Sequence, residues 1–211
     1  GIVARADDDS QMSYCSNYGR IEAVSGAAGI VGWSNDGEIL YCLNNAFVKG
    51  EGFVGGIVGL ASGSDVEYCY NIYSIQGVTS AGGIAGSISG SNIFKCHNQA
   101  RVSSDRLTGG VVGDVNYSSV RYCYSSGDVD GDDSDSSGGV IGGITASGNG
   151  KTYINYCYSP YTPLYNVTGE ISSQYMTFVS VHDKSSTEMK TLYNLHGFSS
   201  SDWAVDAEIN D

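Results

Sequence analysis

The segment Gly55-Gly-Ile-Val-Gly59, followed by Val66-Glu-Tyr-Cys-Tyr-Asn71, decides the fold. It returns 27 residues later as Gly82-Gly-Ile-Ala-Gly86 and Ile93-Phe-Lys-Cys-His-Asn98. Cys15, Cys42, Cys69, Cys96 and Cys123 keep that spacing, and Cys157 follows 34 residues after the last of them. Two residues after each cysteine stand Asn17, Asn44, Asn71, Asn98, Ser125 and Ser159. Six residues after stand Ile21, Val48, Ile75, Val102 and Val129. Gly-flanked pairs of Ile, Val or Ala recur at 29–32, 56–59, 83–86, 110–113 and 139–142. A fixed period of this length marks a repeat architecture, in which no unit buries a core alone and stacking builds one.

The runs within a repeat are short, β-prone and separated by Gly, Asn, Asp and Ser, with no sustained helical period. Three such runs and three corners in one period describe a turn of a β-helix. The expected fold is therefore all-β, a right-handed parallel β-helix of 27-residue coils over residues 1–159. A small C-terminal cap over 160–211 is expected to contain one short helix. Coils spaced about 4.8 Å apart make a stack roughly 25 Å long for five turns. Residues one period apart become neighbours, so each column becomes a ladder. An Ile/Val column fills the interior. An Asn column chains its amides at a corner and satisfies backbone groups that the bend would orphan.

The tail follows from the same logic. Residues 161–182 read as a last irregular coil or strands. Ser185-Ser-Thr-Glu188 has the capping-box pattern and leads into Met189–Leu195, with Gly197 as a stop. Trp203 and Val205 are expected to help cover the open solenoid end. At the other end, Gly1-Ile-Val-Ala4 is similar to the Gly-Ile-Val-Gly block of an earlier coil, so further sequence is expected there.

The facing of the tyrosines sets the candidate site. Tyr14, Tyr41, Tyr68, Tyr122 and Tyr156 each precede a cysteine, with Lys95 breaking the row, while Tyr70, Tyr124 and Tyr158 each follow one. With Cys inward, alternation turns both Tyr columns outward as an aromatic face. Yet Ile39, Val66, Ile93 and Val120, three residues before each cysteine, would then also point out. Either a bulge intervenes or the cysteines face outward. The bulge is the adopted reading, with the Ile/Val and Cys columns both inside.

Composition narrows the function. The chain has 211 residues, 10 basic against 23 acidic, for a net charge of −13. Such a surface repels phosphate backbones and anionic lipid, so nucleic acid and membrane are poor partners. No run of about 18 apolar residues exists to span a bilayer. In-register cysteines lack disulfide geometry, and a linear ladder cannot gather four zinc ligands, so a stack of free thiols is expected. Asp128, Asp130, Asp132 and Asp133 form an acidic stretch with the composition of a Ca2+ loop, without the EF-hand spacing. A solvated loop is the plainer reading, and no cofactor is expected. His97, His182 and His196 form no catalytic motif. Asn166-Val-Thr168 fits a glycosylation acceptor. The column Glu67, Phe94, Arg121 is the nearest approach to a carbohydrate-cleaving site.

The unit Gly-Gly-Ile-Val-Gly, then Cys-Tyr-Asn ten residues on, resembles the GLUG-motif repeat over roughly residues 1–159. Thr187-Glu-Met-Lys190 and Ser201-Asp-Trp203 are similar to the segment that often closes such arrays, and a Gly-Tyr-Pro stretch would be expected about where the chain stops. The resemblance implies a secreted or surface-attached bacterial protein, adhesin-like or a stalk, with a host or bacterial glycan or protein as partner. It also covers IgA-cleaving metallopeptidases, whose zinc motif is absent here. The expectation is a non-catalytic extracellular module whose Tyr columns bind. The alternatives are a carbohydrate-active β-helix enzyme and a spacer within a larger peptidase.

Overall fold

In the computed structural model, residues 1–131, 136–145 and 151–159 are described in full, and Thr168–Ile171 and Met176–Asp183 by their backbone. One coil runs through Glu38–Leu40, Leu43–Asn44, Val48–Gly50, Phe53–Gly55 and Val58–Ser62. The next repeats it as Asp65–Glu67, Tyr70–Asn71, Ile75–Gln76, Ser80–Gly82 and Ala85–Ser89. Equivalent strands pair in parallel, as Val66 does with Ile39 below and Ile93 above. Four parallel sheets result, forming a β-solenoid of about five coils. No α-helix occurs among the described residues, and none there is long and apolar enough to cross a membrane.

Each coil has five strands rather than the expected three, for a local reason. The residue before each cysteine adopts left-handed backbone, with φ of 53° at Tyr41, 52° at Tyr68 and 49° at Lys95. That conformation interrupts the strand and turns the next side chain inward again. Ile39 and Cys42 are consequently both buried, as are Val66 and Cys69. This is the expected bulge, and the residue before the cysteine, tyrosine in five rungs and Lys95 in one, makes it.

The kink leaves the cysteine N–H out of the regular ladder, and sulfur takes the missing role. Cys42 N–H donates to Cys69 Sγ at 3.3 Å, and Cys69 N–H to Cys96 Sγ at 3.4 Å. Each thiol donates in turn to the carbonyl two residues back, Leu40 for Cys42 and Glu67 for Cys69. All six cysteines are free, and only Cys15 is not fully buried.

A second corner uses the same device with oxygen. Asp36, Gly63, Gly90 and Tyr117 are left-handed. Ser64 N–H donates to Ser91 Oγ at 3.0 Å, Ser91 N–H to Ser118 Oγ at 3.1 Å, and the Ser91 hydroxyl donates to the Ser89 carbonyl. Both corners thus pair a left-handed residue with a small side chain that replaces a carbonyl acceptor.

The interior is two-lobed. A large core includes Ile57, Val58, Val66 and Cys69 with their coil equivalents, and a small one holds Val48, Val54, Ile75, Ala81 and Val102. Burying each such Ile or Val contributes roughly 1.5–3 kcal/mol relative to exposure. Between the lobes runs the Asn ladder. Asn17 donates to Asn44 Oδ1 at 2.9 Å, Asn44 to Asn71 at 2.7 Å and Asn71 to Asn98 at 2.8 Å. The second amide hydrogen of Asn44 meets the Ala46 carbonyl. A Cβ on Gly56 would strike Asn71 and the Gly83 carbonyl, which explains the first Gly of the Gly-Ile-Val-Gly block. Its last Gly is equally confined, since a Cβ on Gly59 would meet the Gly26 backbone and the Gly32 carbonyl.

Beyond the regular coils, Thr168–Ile171 pairs in parallel with Ile141–Ile144, and Met176–Asp183 with Thr152–Ser159. Part of the tail therefore extends two of the sheets. The expected helix over 185–195, Trp203, Val205, His182, His196 and the acceptor Asn166 lie outside the residues described in full.

Candidate binding face

The left-handed kink also sets the aromatic rows. At the corner, Tyr14 and Tyr41 stack with ring centroids 5.0 Å apart and planes 8° from parallel. Tyr41 and Tyr68 stack at 4.9 Å, and Tyr122 and Tyr156 at 5.0 Å. Where Lys95 breaks the row, Phe94 enters from the neighbouring column. It meets Tyr68 edge-on at 5.9 Å and Tyr122 at 5.6 Å. The Lys95 ammonium lies 5.5 Å from the Phe94 ring, and the Arg121 guanidinium 5.8 Å from it. The aromatic row is thus continuous over six rungs.

Tyr14 and Tyr41 are exposed at 77% and 44%, while Tyr68, Tyr122 and Tyr156 are half-buried. Because neighbours share ring faces, the row presents ring edges and hydroxyls outward rather than the flat platform that strand alternation suggested. Phe94 differs, for its plane stands 86–87° from those of its partners.

The second row, after the cysteines, stacks Tyr70 on His97 at 5.2 Å and His97 on Tyr124 at 5.0 Å. His97, whose pattern gave no role in sequence, occupies an aromatic rung. Burial pushes its pKa down to about 3, so the stacked ring is neutral, and the Tyr124 phenol is pushed up by the same cause. Tyr158 is 1% exposed and therefore corrects the expectation of a contact residue. Its strand is not the edge of the sheet, because Met176–Asp183 pairs on its outer side.

Beside the rows, Glu67 has its carboxyl pushed up by burial first, then by Asp65 and Glu38, with Arg121 opposing. Of the acidic stretch, Asp128 and Asp130 are exposed, and the Asp130 carboxylate is engaged by Arg101. Asp132 and Asp133 lie outside the described residues. Among the described residues, no group of three or more His, Cys, Asp or Glu side chains is arranged to hold a metal ion.

Compared with known proteins, the chain matches no family model, no curated protein and no solved structure.

Proposed function

We propose that the chain is a non-catalytic extracellular repeat module of a bacterial surface protein. In this reading it is a GLUG-type stalk whose tyrosine corner contacts a glycan or a protein. One observation carries the reading. The two kinked corners of each coil make the same backbone turn, yet the serine corner holds Asp36, Gly63, Gly90 and Tyr117, two of them glycine, while the cysteine corner has no glycine in six rungs and tyrosine in five. A left-handed non-glycine residue costs roughly 1–2 kcal/mol, so tyrosine is retained against backbone preference for what its ring does. Tyr offers large rigid area with a polar tip, which suits a contact surface.

The test is a screen of glycans, mucin and surface proteins with the chain and with Tyr14→Gly/Tyr41→Gly. Glycine keeps the kink, so the variant removes rings without removing the corner. Loss of binding in the variant supports the contact role. Binding by neither protein leaves only the stalk.

A second reading, a carbohydrate-active β-helix enzyme, is favoured by Glu67, whose raised carboxyl beside Asp65 and Glu38 has the character of a general acid. Release of products from a polysaccharide panel, abolished by Glu67→Gln, would establish it.

A further inference from the structure

The row before the cysteines holds phenol rings face to face in two runs. Tyr14 lies on Tyr41 at 5.0 Å and Tyr41 on Tyr68 at 4.9 Å, with planes 8° and 12° from parallel. Tyr122 lies on Tyr156 at 5.0 Å and 11°. Between the runs stands Phe94, edge-on to Tyr68 and Tyr122 and without a hydroxyl. The row after the cysteines is built differently. There His97 separates Tyr70 from Tyr124, and Tyr158, paired with Tyr124, is buried.

The backbone keeps these partners together. Tyr14 N–H donates to the Leu40 carbonyl at 3.0 Å, Tyr41 N–H to that of Glu67 at 3.1 Å and Tyr122 N–H to that of Asn155 at 3.0 Å. Each acceptor immediately precedes the next tyrosine of the row. A tyrosine side chain turns about only two torsions, so a ring has few ways to leave its neighbour. Two like reactants held in this way meet at a very high effective concentration.

We propose that the row is an oxidative cross-linking site, in which stacked tyrosines of adjacent coils join as dityrosine. The pairs are Tyr41 with Tyr14 or Tyr68, and Tyr122 with Tyr156. The co-reactant is a one-electron phenol oxidant of the haem-peroxidase class, driven by hydrogen peroxide. Each of two phenols gives up one electron and one proton. The two phenoxyl radicals form one C–C bond between ring carbons ortho to oxygen. Each joined carbon then loses its hydrogen as a proton and its ring oxygen regains one, which restores both aromatic rings and both hydroxyls. The pair is short of two hydrogens, and one peroxide has become two waters. Exposed side chains turn on the fastest timescales, and the outward ring tips supply the approach that bonding needs. The product ties consecutive coils covalently and, as a disulfide does, constrains the unfolded chain. No bound ligand is involved, so the site stands apart from the contact role of the same rings.

The experiment treats the dilute chain with a haem peroxidase and limiting hydrogen peroxide. It reads dityrosine fluorescence, intact mass under reducing conditions and the cross-linked peptides. The monomer should lose two hydrogens per link, with links at Tyr41 and between Tyr122 and Tyr156, and its urea midpoint should rise. Tyr41→Phe/Tyr156→Phe keeps the rings but leaves no two phenols facing within either run. It should keep the circular dichroism spectrum and lose the monomer's fluorescence. Tyr73→Phe, at an exposed tyrosine outside the row, should change nothing. A monomer without dityrosine, coupling only between chains, links that survive Tyr41→Phe/Tyr156→Phe, or a link between Tyr68 and Tyr122 past Phe94 would each overturn the proposal.

Discussion

Tyr41 lies face to face with Tyr68, ring centroids 4.9 Å apart and planes 12° from parallel, although both residues occupy left-handed backbone. Ring stacking contributes about 0.5–1.5 kcal/mol beyond area burial, comparable with the cost of the conformation. Tyr68→Ala keeps the cost and loses the stack, so it should destabilise by about 1 kcal/mol or more. Tyr68→Gly loses the stack but removes the cost and should be closer to neutral. Urea unfolding midpoints decide the order, and Ala milder than Gly would refute it.

The thiol column yields a prediction opposite to ordinary core behaviour. Cys69 Sγ accepts from Cys42 N–H, so Cys69→Ala orphans a buried donor and opens a small void. An orphaned buried group costs about 1–3 kcal/mol. Cys69→Ser retains the acceptor, as Ser64, Ser91 and Ser118 do at the other corner. Serine should therefore be the milder change in denaturant titrations. In the native protein, a thiol reagent should modify Cys15 and spare the five buried cysteines until denaturant is added.

Glycines should divide sharply by position. A Cβ on Gly83 meets Asn98 and the Gly110 carbonyl, atoms held by the central ladder. On Gly19 it meets only Asn17 Oδ1, at 3.7 Å. Gly83→Ala should lower the thermal midpoint by many degrees, with a penalty of about 3 kcal/mol or more expected where backbone cannot yield. Gly19→Ala should stay within about 0.5 kcal/mol. Equal effects would contradict the two-lobed section.

His97 should impose a pH dependence of definite sign. Its pKa is about 3 in the fold against a usual 6.5, so the unfolded chain binds the extra proton between those values. The stabilisation is complete above the unfolded value and is lost as pH falls from about 6.5 toward 3. His97→Phe keeps an aromatic rung between Tyr70 and Tyr124 and removes the titration. The difference in unfolding free energy between the two proteins should change from pH 7 to pH 5 in favour of the variant. A difference independent of pH would show that the ring is not held neutral.

Much of the fold was legible because a solenoid writes its geometry into its period. The Cys, Asn and Ile/Val columns were found as columns, and the Asn amide chain follows from what Asn does at a corner. The left-handed residue was not legible, because Tyr is a poor candidate for that conformation, and neither the coil-to-coil stacking nor the corner hydrogen bonds that hold it show in the sequence. The Ser64, Ser91 and Ser118 column was missed in a serine-rich chain, although left-handed-tolerant Gly63 and Gly90 precede two of its members. Ring orientation was beyond reach too, since strand alternation tells inside from outside but not face from edge. Tyr158 misled for a different reason. The strand that pairs with its own comes from the tail, where the period has dissolved.

The in-register stack itself is tested most directly on the outward column Glu22, Lys49, Gln76, Ser103, Asp130, which is paired rung to rung. Spin labels at Glu22 and Asp130 are separated by four coil rises, about 20 Å at the spacing of parallel strands. Pulsed dipolar spectroscopy should give a narrow distribution near that value, displaced by a few Å for the label arms. A broad distribution, or a distance beyond about 35 Å, would contradict the solenoid.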